Sequence, residues 1–168
     1  MNTISANRAR WLTVFGLGHM RPASGTWGSM PAVVLGGAMI VFIHISTFPG
    51  EGYRVLMALG ALWFSLVCVL WGADAEARWG KDPSEVVADE MAGQFVTLLM
   101  IPSAMLGTGW STLLTLLGAF FLFRAFDILK PWPAGAMQKI PGGWGVLLDD
   151  IFAGAMGGLV IWIVQWVQ

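Results

Sequence analysis

The chain has 168 residues, 57% of them apolar and 11% charged, with a formal net charge of −1 and a mean hydropathy of +0.71. Ordinary soluble domains carry about 25% charged residues, so too few are present here to cover a water-facing surface. The charge balance excludes a strongly basic nucleic-acid binder, and the density of large apolar residues excludes disorder. An integral membrane protein is the expected class, folded as one domain over residues 1–168. The lone cysteine, Cys68, lies in an apolar run and can form neither an intramolecular disulfide nor a Cys-rich metal site.

Arg8 and Arg10 precede a weak apolar stretch, 11–17, which breaks at Gly16, Gly18 and Pro22 and does not read as a secretory signal. The glycine-rich run Gly25-Thr26-Trp27-Gly28-Ser29 follows, with Ser29 placed to cap a helix starting at Met30. Four regions then lack charge: 30–49, 55–73, 95–123 and 151–168. The first, second and fourth each suit one helical crossing of about 30 Å of hydrocarbon. The third is too long for one comfortable span. Gly107-Thr108-Gly109, with Pro102 before it, predicts a turn that folds it into two arms of about 13–15 residues, a short hairpin or re-entrant pair. The expected architecture is all-α and polytopic, with about three full spans plus this hairpin. Trp71, Trp162 and Trp166 stand near segment ends, where interfacial anchors are common.

Nearly all charges collect in three polar stretches, 1–29, 74–90 and 124–150. With the hairpin, eight of the nine Lys and Arg residues share one face, and Arg54 is on the other. With a single crossing the division is five against four. The positive-inside rule therefore favours the hairpin and puts the polar stretches in the cytoplasm.

Those stretches hold the candidate chemistry. Asp89-Glu90 and Asp149-Asp150 each stand directly before an apolar segment, as expected for acids at helix N-termini on a membrane surface. Doubled acids exceed what one cap requires, and carboxylates that converge repel one another unless a divalent cation joins them. Arg124, Asp127 and Lys130 repeat at a spacing of three, which predicts one helical face ending at Pro131. The unit reads as either an intrahelical ion pair or an acid flanked by two phosphate-binding cations. Gly25-Thr26 and Gly142-Gly143 offer backbone N–H groups that an anion can approach closely, and Thr26 adds a hydroxyl. Neither glycine run has the spacing of a Walker A loop or a Rossmann fingerprint.

Four motifs in order resemble the phosphatidylglycerophosphatase A family. They are Gly16-Leu17-Gly18 with Ser24-Gly25-Thr26-Trp27-Gly28-Ser29, then Asp89-Glu90-Met91-Ala92-Gly93, then Phe123-Arg124-Ala125-Phe126-Asp127-Ile128-Leu129-Lys130-Pro131-Trp132-Pro133, and finally Gly142-Gly143-Trp144-Gly145 through Asp149-Asp150-Ile151-Phe152-Ala153-Gly154. Ser24 stands where members often carry Pro. The resemblance covers about residues 11 to 165. It implies Mg2+-dependent hydrolysis of phosphatidylglycerol phosphate to phosphatidylglycerol by a helical protein of the bacterial inner membrane. The acids Asp89, Glu90, Asp127, Asp149 and Asp150 fall on the family's characteristic positions, as do Thr26, Arg124 and Lys130. The five acids are expected to gather around one or two Mg2+ ions, with Arg124 and Lys130 on the substrate phosphate. Membrane lipids are the expected surroundings, a homo-oligomer is compatible with the spans, and no nucleic-acid partner is expected. The alternative from the residues alone is a small transporter or channel for an anionic solute, which predicts charges deep within the spans rather than outside them.

Overall fold

The computed structural model describes residues 4–45, 51–107, 109–137 and 140–167. Among them the chain forms seven α-helices: α1 (Ala6–Leu12), α2 (Ser24–Ile45), α3 (Glu51–Trp79), α4 (Ala88–Leu99), α5 (Trp110–Leu129), α6 (Ala134–Met137) and α7 (Gly143–Val167). Short 3-10 turns cover Leu17–His19 and Ser103–Met105. Helices α2, α3, α5 and α7 are long and apolar enough to cross a membrane. Their outward faces expose Leu59, Leu70, Leu114, Phe121 and Ile163. In water that belt would be a very large apolar patch; in a bilayer it is solvated by lipid. The all-α, polytopic architecture expected of the sequence is the one observed.

The packing centres on α4. It has 12 residues, about 18 Å of helix, and cannot cross a bilayer alone. Nine of those residues are buried, and α2, α3, α5 and α7 all pack around it. It enters the bundle from one end, and the chain turns back after Met100. Of the turn predicted at Gly107-Thr108-Gly109, Thr108 lies outside the described residues; Gly109, directly before α5, has φ +85°, a backbone conformation that favours glycine. The second arm is longer than expected. It is a 20-residue helix that continues through Arg124 and Asp127 to Leu129. An absence of charge delimits lipid-compatible surface, whereas a helix continues until its backbone is broken, here at Pro131. The result is four long helices around one short buried one.

Two other boundaries shift for the same reason. Helix α2 begins at Ser24, so Ser29 is within the helix, where its Oγ donates to the Gly25 carbonyl at 2.7 Å instead of capping Met30. Helix α7 begins at Gly143, so Asp149 and Asp150 stand in its second turn rather than at its N-terminus.

Chain direction sorts the polar groups. The start of α2, the end of α3, the start of α4, the end of α5 and the start of α7 meet at one end of the bundle. Arg8 pairs there with Asp74 at 2.6 Å, and Arg21 with Glu85 at 3.6 Å. Arg54 lies at the opposite end, donating to Ser103 Oγ at 3.1 Å beside His44 and Glu51. Lys139 is outside the described residues.

Glycine permits the close packing. A Cβ on Gly154 would collide with the Gly93 carbonyl oxygen, and one on Gly93 would come within 2.5 Å of the Asp150 carbonyl oxygen. Thr97 Oγ1 lies 3.2 Å from the Gly93 carbonyl and 3.1 Å from the Gly154 carbonyl, joining the two helices at that point. Gly118 on α5, by contrast, faces open space. Gly154→Ala is expected to lower the thermal midpoint of detergent-solubilised protein, at a cost of about 1–3 kcal/mol for overpacking. Gly118→Ala is expected to leave it unchanged or raise it. Equal effects at the two sites would refute the packing argument.

Candidate active site

A cavity of about 320 Å³ opens at the charged end of the bundle. Its walls include Gly25 from α2, Asp89 and Glu90 from α4, Arg124 and Asp127 from α5, Lys130 just beyond α5, and Asp149 and Asp150 from α7. Asp82, Pro83 and Ser84, from the loop between α3 and α4, complete the rim. Residues far apart in sequence thus face one space.

Each element delivers its side chain for a local reason. Asp89 and Glu90 occupy the first turn of α4, where unpaired backbone N–H groups favour negative charge, and Asp89 Oδ1 accepts from the Glu90 N–H at 3.0 Å. Arg124 Nη1 donates to Asp127 Oδ2, three residues on, and lies 3.9 Å from Glu90 Oε1. Lys130 departs from the predicted common face. It ends α5 in a left-handed conformation (φ 44°), and its Nζ crosses to Asp149 Oδ2 at 2.5 Å. The unit therefore makes one intrahelical pair and one cross-helix pair. Ala23 and Asp82 also have positive φ (61° and 49°) and also line the cavity. Backbone strain of this kind persists where the surroundings hold it in place.

Gly25 has a steric role that its sequence motif did not reveal. A Cβ there would collide with Glu90 Oε1 and come within 2.6 Å of Arg124 Nη1. Thr26 is not on the cavity wall, and its N–H already donates to the Ala23 carbonyl at 3.0 Å. Gly142 and Gly143 are also off the wall. Gly142 turns the chain into α7 at φ +75°, and Gly143 packs against α3, where a Cβ would strike the Cys68 carbonyl oxygen. That glycine run serves helix approach in place of the anion contact suggested by its composition. The rim residues Asp82 and Ser84 were not singled out from sequence, because a short polar loop carries no periodic signal.

The electrostatics are unbalanced. Among the described residues, six carboxyl groups and two cations line the cavity. Asp89, Asp149 and Asp150 are buried, at 6%, 3% and 3% exposure. Burial raises the Asp89 carboxyl well above the ordinary range, and the neighbouring Glu90 and Asp149 charges raise it further. Burial likewise pushes Glu90 up to about 8, although its hydrogen bond with Asp89 and the Arg124 charge act the other way. Burial opposes the charge on Lys130, but its bond to Asp149 and the surrounding acids outweigh that and raise its pKa.

Asp89, Glu90 and Asp150 each offer an oxygen within 4.8 Å of the others, so this trio could hold a metal ion. Glu90 Oε2, Asp149 Oδ1 and Asp150 Oδ1 are buried and have no hydrogen-bond partner in the protein. Hard oxygen donors lacking protein partners fit a hard divalent cation such as Mg2+.

The phosphatidylglycerophosphatase A family profile matches residues 11–165. The chain belongs to the phosphatidylglycerophosphatase A family. It is 34% identical over 153 residues to phosphatidylglycerophosphatase A of Haemophilus influenzae, covering 90% of this chain and 85% of that protein. It is 28% identical over 152 residues to phosphatidylglycerophosphatase A of Escherichia coli, covering 89% and 78%. A Bacteroides thetaiotaomicron protein named putative phosphatidylinositol-3-phosphatase is 34% identical over 163 residues, covering 92% and 91%. No solved structure matches the chain. Family membership and fold together make this a membrane-embedded member of a lipid-phosphatase family.

The raised carboxyls give the fold a pH dependence of definite sign. Glu90 holds its proton more tightly folded than unfolded. Its protonated form therefore stabilises the fold at low pH, and that stability is lost as pH rises from the ordinary value of 4.5 through about 8. With a chelator present, the thermal midpoint is expected to fall across this window. Added Mg2+ should restore it at the alkaline end, and Glu90→Gln should flatten the slope. A midpoint indifferent to both pH and cation would contradict this account of the site.

Proposed function

We propose that the protein hydrolyses the terminal phosphate monoester of phosphatidylglycerol phosphate, yielding phosphatidylglycerol and inorganic phosphate. The observation that carries this reading is the meeting of a three-carboxylate cluster with Arg124 and Lys130 in one cavity at the end of a membrane bundle. Acids alone repel a phosphate, and cations alone do not activate water. The two sets together meet both needs.

In this reading Asp89, Glu90 and Asp150 hold Mg2+, with Asp127 and Asp149 completing its surroundings. The ion would offset the charge of the phosphate and lower the pKa of water at the site. Arg124 and Lys130 exchange one of their carboxylate contacts for the entering phosphate, and Arg124 presents a planar fork of donors. Lys130 is the more exposed of the two, so it meets the headgroup first. Asp127 or Asp150 orients the attacking water and takes its proton. Gly25 supplies close backbone approach on the α2 side. Water attacks phosphorus, the bond to the glycerol oxygen breaks, and that oxygen leaves as a hydroxyl by taking the proton that the carboxylate received from the water.

The setting favours a lipid substrate. The charged cavity lies at the bundle end while lipid-facing helices surround it, so a headgroup can enter as its acyl chains remain in the bilayer. Clustering of basic residues at the same end supports a cytoplasm-facing site in a bacterial inner membrane. A solute transporter fits less well, because the charged groups gather at one end instead of marking a path through the bundle.

Purified protein is expected to release phosphate from phosphatidylglycerol phosphate with Mg2+ and not with a chelator. Phosphatidylinositol 3-phosphate belongs in the same assay, given the name of the Bacteroides relative; faster turnover of that lipid would reassign the substrate. Asp127→Asn should lower kcat by about 10²–10⁴-fold while the protein remains in the membrane fraction. Near-normal turnover in that variant would remove Asp127 from the chemistry.

A further inference from the structure

Gln94 is fully buried in α4. Neither its Nε2 nor its Oε1 meets a hydrogen-bond partner in the protein. A buried amide left unpaired costs about 1–3 kcal/mol, and a methionine of similar length would avoid that cost. The position therefore calls for a reason to keep an amide there.

Glu90 lies one helical turn before it. Residues four apart on a helix occupy the same face, one above the other. The buried and partnerless Glu90 Oε2 is an acceptor, and Gln94 Nε2 is a donor. The other Glu90 oxygen, Oε1, faces Arg124 Nη1 at 3.9 Å. One carboxylate thus has an oxygen towards the cation-rich wall and a buried oxygen that no protein donor reaches, while a donor without a hydrogen-bond acceptor sits one turn deeper.

We infer that Gln94 is a positioning residue for Glu90, its Nε2–H reaching Glu90 Oε2 through one buried water, since the two atoms do not bond each other in the protein. This bridge orients the carboxylate so that Oε1 is presented to a cation held with Asp89 and Asp150. The inference rests on the metal-binding reading of that trio. It concerns how this chain fixes a ligand rather than which lipid is hydrolysed. Groups that orient metal ligands typically change metal affinity or activity by about 10–100-fold when removed. The bridging water satisfies Gln94 Nε2 and Glu90 Oε2, both otherwise without a partner.

Gln94→Met retains side-chain length and removes both polar atoms. Without divalent cation, its thermal midpoint is expected to equal or exceed that of the unmodified protein. The MgCl2 concentration giving half-maximal thermal stabilisation should rise about 10-fold or more. In the lipid assay, kcat at fixed Mg2+ should fall by a similar factor while KM for the lipid changes little. A merely structural glutamine would shift the cation-free midpoint and leave the Mg2+ requirement alone, and that result would overturn the inference. If Gln94→Met fails to fold, Gln94→Leu supplies the same comparison. The binding measurement separates this inference from the substrate assignment: a weakened Mg2+ response in a protein inactive on both lipids would sink the assignment and leave the positioning role intact.

Discussion

The close approach of α4 and α7 is the constraint on which the remaining structure depends. Gly93 and Gly154 let two helix backbones meet where any Cβ would force them apart. Thr97 lies within hydrogen-bonding distance of both glycine carbonyls at the same contact. In a bilayer the lipid offers no hydrophobic drive for helices to associate, so small residues and backbone contacts of this kind carry much of the packing. The contact fixes the register of α4 against α7, and with it the distance from Asp89 and Glu90 to Asp150. Gly25 does the same from the α2 side by leaving room for Glu90 and Arg124.

That packing concentrates charge where charge is costly. Carboxyls buried beside one another favour protonation, as Asp89 and Glu90 do. Lys130 and Arg124 neutralise part of the excess through Asp149 and Asp127. What is left over is a set of oxygens without protein partners. The same imbalance that weakens the fold at high pH leaves a carboxylate cluster that could hold a divalent cation.

Much of the architecture was legible in the sequence because the bilayer imposes a simple rule. Long stretches without charge must be spans, and basic residues sort by side. Arg54 stands apart from Arg8, Arg21, Arg124 and Lys130 in the fold as that rule required. Helix ends were less legible. Asp149 and Asp150 look N-terminal when charge marks the boundary, yet Gly143 begins the helix two turns earlier. Ser29 resembles a cap but lies inside α2. Composition reports the solvent a residue prefers, whereas backbone hydrogen bonding decides where a helix stops.

The sequence by itself determined the membrane class, the all-α polytopic architecture and the family. Each of these follows from local composition or from motifs within short windows. Only the tertiary structure decided that Lys130 reaches Asp149 instead of sharing a face with Asp127, that Gly143 packs on α3, and that Gln94 lies buried without a partner one turn below Glu90. Those facts depend on how far apart two backbones stand and which side chain fills the gap. Such distances are set by contacts between distant segments, which no window along the chain contains.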